Sequence, residues 1–397
     1  MLPSVLQPLA VVLALSVGTS VSQAVTSIIS RRVTEYLLPV AKQTHEIAKV
    51  PGSNFLLVSQ MSNSKLIKVE LDPSTEAPIA YQSFPMGENS TSGLHGIWPS
   101  AKFPGMVWLS LQSENKLLLV DPGSTLSDAP TILETIDIPV PGNGPHSIFE
   151  IGNHIWAGLK DPSPQTGEYY AFSADIDNTT DTALYPCLKS PVFIQQEPTT
   201  SHIYLTQDAS SSIMRIDLST GETSQLPIPP SVGVNPVGMI TIPSSGPLSG
   251  LWFVLAGNST GGTGTFGRIL PSGDLEFFTL STPLLGTGAA FLHLADASTP
   301  SEPALWLLAT SLLSPNSPDA LVRVTFDEGI TEVTGEEYVA ILTQNAWAHR
   351  IVVMEKTVMV SELNTFSLAQ LGYEGTAAGG WLPARALTDP TVYEQEV

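Results

Sequence analysis

Four histidines recur along the chain at nearly regular intervals, each close to the start of a short apolar segment. The clearest copies read Gly-Leu-His-Gly-Ile and Gly-Pro-His-Ser-Ile. Neutral imidazole donates and accepts hydrogen bonds, exchanges protons near neutral pH and binds metal ions, so a group of imidazoles could carry out several kinds of chemistry. The four are His45, His95, His146 and His349.

These histidines share one position of a repeat that fills most of the chain. We call the third residue of the Gly-x-His-x-Ile pattern the rim position; a second apolar segment follows it in every copy. Three copies have an apolar residue at the rim. The rim positions, 45 to 59 residues apart, are His45, His95, His146, Val192, Val237, Ala290 and His349, and the second segments end at Gln60, Leu111, Leu159, Gln207, Leu255, Ala309 and Glu362.

The period and the short strands predict the fold. A repeat of this length made of strands and turns, in a chain with 31 glycines and 33 prolines, is typical of a β-propeller. We therefore expect an all-β, seven-bladed propeller in a single domain, residues 25–371. The last copy lacks its own fourth strand, whereas residues 31–39 have that form. This N-terminal strand is predicted to complete the last blade and close the ring.

In a propeller, the rim residue and the end of the antiparallel second strand meet at one opening of the central channel. Blades seven, one, two and three are neighbours in the closed ring, so their histidines should form an arc opposite an apolar arc. Such a mouth suits a hydrophobic small molecule with one polar end. Alternatively, the histidines hold neighbouring blades together. We expect the apolar side of the mouth to consist of Val192, Val237 and Ala290, with Gln60 and Gln207 at strand ends. Beside the last histidine, Trp347 would provide a stacking ring and Arg350 a cation. Glu362 is expected to support His349.

Composition excludes some classes of function. The net charge of −21 would repel a phosphate backbone, so we expect no nucleic-acid partner. A single cysteine, Cys187, permits no internal disulfide. The chain has no metal-binding, nucleotide-binding or nucleophile motif of known spacing, so we expect no cofactor. A divalent metal ion held by imidazole and carboxylate remains an alternative.

Both ends of the chain have a distinct composition. Residues 1–24, with the apolar run Leu6 to Val17 and a small-x-small site at Ser22-Gln23-Ala24, predict a signal peptide and a secreted protein. No membrane span is expected after its removal, and we expect a monomer. Residues 372–397 are predicted to be a loosely held tail. Three sequons predict glycosylation at Asn89, Asn178 and Asn258.

The repeat resembles that of the streptogramin B (virginiamycin B) lyases, a family of seven-bladed propellers. Those lyases open a cyclic depsipeptide ester by elimination, with a magnesium ion and a histidine base. On this resemblance, His349 and Glu362 match two site positions, whereas Ala290 and Trp347 stand where the family has a histidine and a glutamate. The motifs that carry the resemblance are Gly144-Pro-His146-Ser-Ile148, Leu251-Trp252-Phe253, Phe266-Gly-Arg268-Ile269 and Asp274 to Leu280.

A signal sequence, sequons and a lyase-like repeat with an incomplete metal site together resemble the fungal hetero-Diels–Alderases of tropolone–sesquiterpene biosynthesis. The resemblance implies a cofactor-independent enzyme that joins a quinone methide to a cyclic terpene. We therefore expect a cycloaddition or cyclisation of a hydrophobic, terpene-like substrate. The alternatives are a metal-dependent lyase or lactonase, and a non-enzymatic propeller that binds a ligand or a protein.

Overall fold

A computed structural model describes residues 31–41, 43–281, 288–299 and 302–372, together with the backbone of residues 385–386. The predicted signal peptide and most of the predicted tail lie outside the described residues. Among the described residues, no helix has the length and apolar character needed to cross a bilayer.

Seven small antiparallel sheets form the blades, which confirms the predicted all-β, seven-bladed propeller. Two short 3₁₀ helices, Met61–Asn63 and Gln112–Glu114, follow the second strands of blades one and two. Blades one to three consist of β2 Thr44–Lys49, β3 Phe55–Gln60, β4 Lys65–Leu71, β5 Pro78–Pro85, β6 Leu94–Pro99, β7 Val107–Leu111, β8 Lys116–Asp121, β9 Thr131–Asp137, β10 Pro145–Ile151, β11 His154–Leu159, β12 Tyr169–Asp175 and β13 Thr182–Cys187.

The remaining blades have the same plan, with one exception in the last. Blades four to six consist of β14 Pro191–Gln196, β15 His202–Gln207, β16 Ser212–Asp217, β17 Thr223–Pro227, β18 Pro236–Ile242, β19 Gly250–Leu255, β20 Thr265–Ile269, β21 Leu275–Thr279, β22 Phe291–Asp296, β23 Ala304–Ala309, β24 Ala320–Phe326 and β25 Val333–Ala340. Blade seven combines β26 Ala348–Val353, β27 Thr357–Glu362 and β28 Ser367–Gly372 with β1 Val33–Leu37 and β29 Arg385–Ala386.

Burial changes from the channel outward within each blade. The second strand β3, Phe-Leu-Leu-Val-Ser-Gln, is buried at every residue, whereas the fourth strand β9 is mostly exposed. Inner strands are sandwiched between two neighbouring blades, so both of their faces are apolar. In five blades, one large aromatic residue of the second strand packs into the cluster shared with a neighbouring blade: Trp108, Trp156, Tyr204, Trp252 and Trp306.

The N-terminal strand closes the ring, as the sequence predicted. β1 pairs antiparallel with β28, with Val33 opposite Leu371 and Leu37 opposite Ser367. The inner strand β26 then packs against β2 of blade one. Part of the predicted tail also takes part, because β29 pairs in parallel with β1.

The three sequon asparagines, Asn89, Asn178 and Asn258, are exposed and lie outside the strands. In each, the side-chain oxygen accepts a hydrogen bond from the threonine hydroxyl two residues later. An exposed turn of this kind could carry a glycan. Glycosylation itself stays a prediction.

Leucine 38 provides a test of the closure. Leu38 follows β1, is buried, and packs with Ile47 and Leu56 of blade one and Leu368 of blade seven. We predict that Leu38→Ala lowers the free energy of unfolding by about 2 to 5 kcal/mol, because it leaves a cavity at the seam. Leu188, which is 63% exposed, provides the matched control: Leu188→Ala should change stability by less than about 0.5 kcal/mol. Denaturant unfolding curves measure both, and equal effects would contradict a closing role for this segment.

Candidate functional site

A β-bulge lies at the rim position of every blade. The first residue of each inner strand pairs with the last residue of the second strand, as Thr44 does with Gln60, and the register then shifts. The same shift occurs in all seven inner pairs. A bulge redirects the side chain of its extra residue. The rim residue, which follows the paired residue, lies within this bulge and borders the channel.

The bulges bring the four predicted histidines together. The ring centroids of His45 and His95 are 4.2 Å apart, and those of His45 and His349 are 4.6 Å apart. His95 stacks on His146 with centroids 3.4 Å apart. The structure thus gathers the histidines of blades seven, one, two and three into one continuous arc at the channel mouth.

A hydroxyl holds the backbone of three of the four histidines against the preceding blade. Ser59 Oγ accepts a hydrogen bond from the Glu46 N–H in its own blade and donates one to the His95 carbonyl in the next, at 3.0 and 2.6 Å. The arrangement repeats: Ser110 donates to the His146 carbonyl, and Ser361 to the His45 carbonyl. Each of these serines is the penultimate residue of its second strand.

The hydrogen bonds of two histidines determine where each carries its proton. A carbonyl oxygen only accepts, so His95 Nδ1, 2.8 Å from the His146 carbonyl oxygen, must carry a proton. His349 Nδ1 faces the His45 carbonyl oxygen in the same way, and the Arg350 guanidinium, which only donates, lies 3.4 Å from His349 Nε2. Both neutral rings therefore have an unprotonated Nε2.

His146 has the same tautomer. The Gln112 side chain donates its amide nitrogen to the Asp161 carboxylate, so its oxygen is the atom 3.0 Å from His146 Nδ1. His146 Nδ1 must then be protonated, and Nε2 is a free acceptor. His45 differs, because neither of its ring nitrogens has a hydrogen-bond partner among the described residues. The arc therefore offers mostly acceptors, together with one free donor on His45.

The histidines remain neutral at physiological pH. Burial, reinforced by the Arg350 guanidinium, lowers the pKa of His45 to about 3. Burial also lowers the pKa of His95, with the neighbouring His146 adding to the effect, and that of His146, to which Lys160 adds. A buried imidazolium would lose its hydration next to other positive groups. These rings can therefore accept a hydrogen bond, but they do not act as cations.

A cavity of about 240 Å³ occupies this mouth, between imidazoles and apolar side chains. Its volume is a little below the roughly 300 Å³ at which typical ligand pockets begin, so it suits a small ligand. As predicted, imidazoles and apolar side chains both line it, but His95 is fully buried and does not border the cavity. The lining combines His45, His146, His349 and Arg350 with Val192, Val237 and Leu292 of blades four to six and with Leu312, Leu313 and Leu363 from the loops after β23 and β27.

One rim assignment was wrong. Ala290 lies before β22, whereas the register pairs Phe291 with Ala309 and places Leu292 at the rim of blade six. Leu292 also lines the mouth cavity. The sixth copy reads Gly-Ala-Ala-Phe-Leu, without a polar residue to mark the register. The correction keeps this side of the mouth apolar.

Other predicted lining residues have structural partners. Gln60 donates to the Pro39 carbonyl at 2.7 Å, and Gln207 accepts the N–H of Leu188 at 2.9 Å; both are fully buried. Neither borders the mouth cavity. Trp347 is partly exposed with a backbone φ of 57°, an unusual conformation for a bulky residue, and it does not line the cavity either.

Glu362 has different neighbours from those predicted. It is fully buried, and its carboxylate accepts a hydrogen bond from Thr365. Burial, followed by the adjacent carboxylates of Glu35 and Asp319, raises its pKa to about 8. Its neighbours thus belong to the seam between blades six and seven and β1. The expected support of His349 by Glu362 has no contact among the described residues.

The sequence interpretation missed two features of the mouth. Lys160 and Asp208 form an ion pair at its edge, and each directly follows a second strand, β11 or β15. Aligning the residue after every second strand would have found them. Leu312 and Leu313, in the loop after β23, cover the apolar side. No repeat signal marks that loop.

The donor set does not fit a magnesium ion, which the lyase resemblance implies. Among the described residues, no group of three or more histidine, cysteine, aspartate or glutamate side chains is placed to hold a metal ion. His95 and His146 stack face to face, and this arrangement does not direct their nitrogens at one centre. The rim residue of blade six, Leu292, has no side-chain atom that can bind a metal ion. The Glu362 carboxylate lies among residues of the seam between blades six and seven, not at the mouth.

Comparisons with known proteins support the fold. No known family profile matches the sequence, and no curated protein matches it. Virginiamycin B lyase from Staphylococcus aureus is similar in structure, with a TM-score of 0.62 and 19% identity over 86% of this chain and 99% of that one. A catalytically inactive histidine-to-alanine variant of that lyase with quinupristin gives a TM-score of 0.64 at 19% identity, with the same coverage.

Propellers with other roles are also similar. YCF48 bound to D1 peptide matches with a TM-score of 0.56 and 13% identity over 89% of this chain and all of that chain. Identities this low indicate a shared fold. The comparisons therefore establish similarity to seven-bladed lyase propellers and leave the activity to be argued from the site.

Glu362 gives a pH-dependent prediction. Because its pKa is raised in the folded state, the native protein binds a proton that the unfolded chain has lost above about pH 4.5. Stability should fall as the pH rises through 8. We predict that Glu362→Gln, which stays neutral, loses about 1 to 2 kcal/mol less than the wild type between pH 6.5 and 8.5. The exposed Glu328→Gln variant is the control in denaturant titrations. Parallel pH profiles for all three proteins would show that Glu362 is ionised in the fold.

Proposed function

We propose that this protein is a cofactor-independent enzyme of fungal specialised metabolism that catalyses a cycloaddition or cyclisation of a hydrophobic small molecule. The observation that carries the proposal is the two-sided mouth, in which neutral imidazoles face Val192, Val237 and Leu292 across one cavity. We propose that the apolar side holds a terpene-like body and the histidine side holds an oxygenated group.

A hetero-Diels–Alder reaction suits this mouth. It joins a conjugated carbonyl compound to an alkene by forming two single bonds, and no atom is gained or lost. Such a reaction needs no redox partner and is accelerated mainly by holding both reactants in the reactive orientation. The apolar wall would bury the alkene partner, and the histidines would fix the orientation of the oxygenated partner.

The tautomers refine the expected recognition. A substrate carbonyl needs a hydrogen-bond donor, whereas the free Nε2 of His146 is an acceptor. We propose that it binds a hydroxyl group of the substrate. His45, whose ring nitrogens have no protein partner, would donate to the carbonyl and polarise it.

A pair of variants at His146 tests this assignment. In His146→Asn, the new amide can keep the contact to Gln112 but loses the acceptor at the Nε2 position. His146→Gln places an amide oxygen near that position. We expect His146→Asn to lower kcat/KM by roughly tenfold or more, the value of one lost hydrogen bond, and His146→Gln to retain more activity. An equal loss in both variants would contradict the acceptor role.

The substrate is to be found by comparing metabolites of the source strain with and without the gene by mass spectrometry. Accumulation of two smaller precursors and loss of a combined product is the expected result. Accumulation of a cyclic ester would instead favour a lyase, and an unchanged profile would favour a ligand-binding or structural role.

The structural similarity to virginiamycin B lyase favours ester-opening lyase activity as a second candidate. Its test is the effect of a chelator. Activity that EDTA removes and magnesium restores would support a metal-dependent lyase. Activity that resists EDTA would support the cofactor-independent reaction, as the poor fit of the donor set leads us to expect.

A further inference from the structure

We infer that the channel contains a second ligand site, distinct from the mouth, that binds a small ring compound through an uncharged carbonyl group. The site is a chamber of about 270 Å³ formed by residues of the inner strands β2, β6, β10 and β26 beyond their rim positions, with Phe193 of β14 and His293 of β22. Arg350 borders both this inner chamber and the mouth cavity. Half-buried residues, among them Lys49, Pro99 and Val352, line the chamber, so a ligand can reach it from solvent.

Aromatic rings form one continuous wall of the inner chamber. Trp98 meets Phe149 edge-on with centroids 5.0 Å apart, and Phe149 lies 5.5 Å from Phe193. The row ends at His293, whose ring is 5.3 Å from Phe193. Rings at these separations and tilts leave both faces and edges available for a flat or bicyclic ligand.

His293 supplies a hydrogen-bond donor at the end of this wall. The backbone N–H of Ile351 donates to His293 Nδ1 at 3.3 Å, so this nitrogen is unprotonated. Burial, with Arg350 nearby, lowers the pKa of His293 and keeps the ring neutral. The single proton therefore lies on Nε2, and this N–H has no protein partner among the described residues. His293 thus has the tautomer opposite to that of His95, His146 and His349, and it offers a donor.

The charges at the floor of the chamber favour an uncharged ligand. The Arg350 guanidinium lies 2.6 Å from the Glu46 carboxylate and 4.9 Å from the centre of the Phe193 ring. Both partners of the ion pair have little exposure, and together they carry no net charge. Lys49, the other charged residue of the lining, directs its ammonium group to the backbone carbonyls of Val50 and Ser53. A carboxylate ligand would be repelled by the Glu46 carboxylate while it is attracted to the Arg350 guanidinium. The free energy of hydration that the ligand loses on entering the chamber would therefore not be recovered. A ketone or quinone oxygen needs only the N–H of His293.

The test uses isothermal titration calorimetry with α-tetralone, a bicyclic aromatic ketone, and with tetralin, which has the same rings and no carbonyl. We expect α-tetralone to bind about tenfold more tightly than tetralin, which is the value of one hydrogen bond. Equal affinities would overturn carbonyl recognition. The absence of binding by either compound would overturn the site.

Two matched variants locate the bound ligand. Val352→Phe fills the inner chamber, and Leu313→Phe introduces the same side chain at the mouth; both wild-type residues are half-buried. We expect Val352→Phe to weaken the binding of both compounds at least tenfold and Leu313→Phe to leave it unchanged. The opposite result would assign the ligand to the mouth and overturn the second site. Thermal unfolding measured by circular dichroism verifies that each variant is folded.

A second pair of variants tests the donor. His293→Asn keeps an acceptor for the Ile351 N–H and lacks the Nε2 donor, whereas His293→Gln keeps a donor near the Nε2 position. We expect His293→Asn to bind both compounds equally and His293→Gln to retain the preference for α-tetralone. Retention by both variants would overturn the role of His293. Substitution of His146 should not change α-tetralone binding, so this site and the proposed reaction can fail independently.

Discussion

The bridging hydroxyl at the end of a second strand is the interaction on which the geometry of the mouth depends. Ser59, Ser110 and Ser361 each join an N–H of their own blade to the rim carbonyl of the next. Blade four uses Thr206 in the same way. Blade three has Gly158 instead, because a Cβ there would lie 2.7 Å from the Pro191 carbonyl oxygen. Three of these four bridges hold the histidine arc.

This fixed backbone explains how uncharged histidines can be packed so closely. If one ring were protonated, it would face its neighbours and Arg350 without hydration, so the arrangement favours the neutral state throughout the physiological range. The bulges direct the rings inward, and the bonds from His95 and His146 Nδ1 select their tautomer. One layer deeper, His293 carries its proton on the opposite nitrogen. The two cavities of the channel thus differ in hydrogen-bonding character although both contain imidazole.

The sequence was sufficient for the features that repeat. Periodic rim positions predicted the ring, its closure and the meeting of four histidines, because a propeller places equivalent residues at one end of the channel. Features that occur in a single blade could not be predicted from the repeat. Leu292 was missed because only the strand register distinguishes it from Ala290. The surroundings of Glu362 depend on side-chain direction beside a bulge, and the pairing of Arg350 with Glu46 joins residues from opposite ends of the chain.

The closing strand has a consequence for the time course of biosynthesis. The side chains of Tyr36 in β1 and Gln370 in β28 are hydrogen-bonded although 334 residues separate them in sequence. At typical rates of synthesis, of about 5 to 20 residues per second, β1 waits roughly 20 to 70 seconds for its partner. During that time its unpaired edge can pair with other chains. This pairing can form only after Gln370 has been synthesised, and we expect late steps of folding to depend on keeping this first strand free.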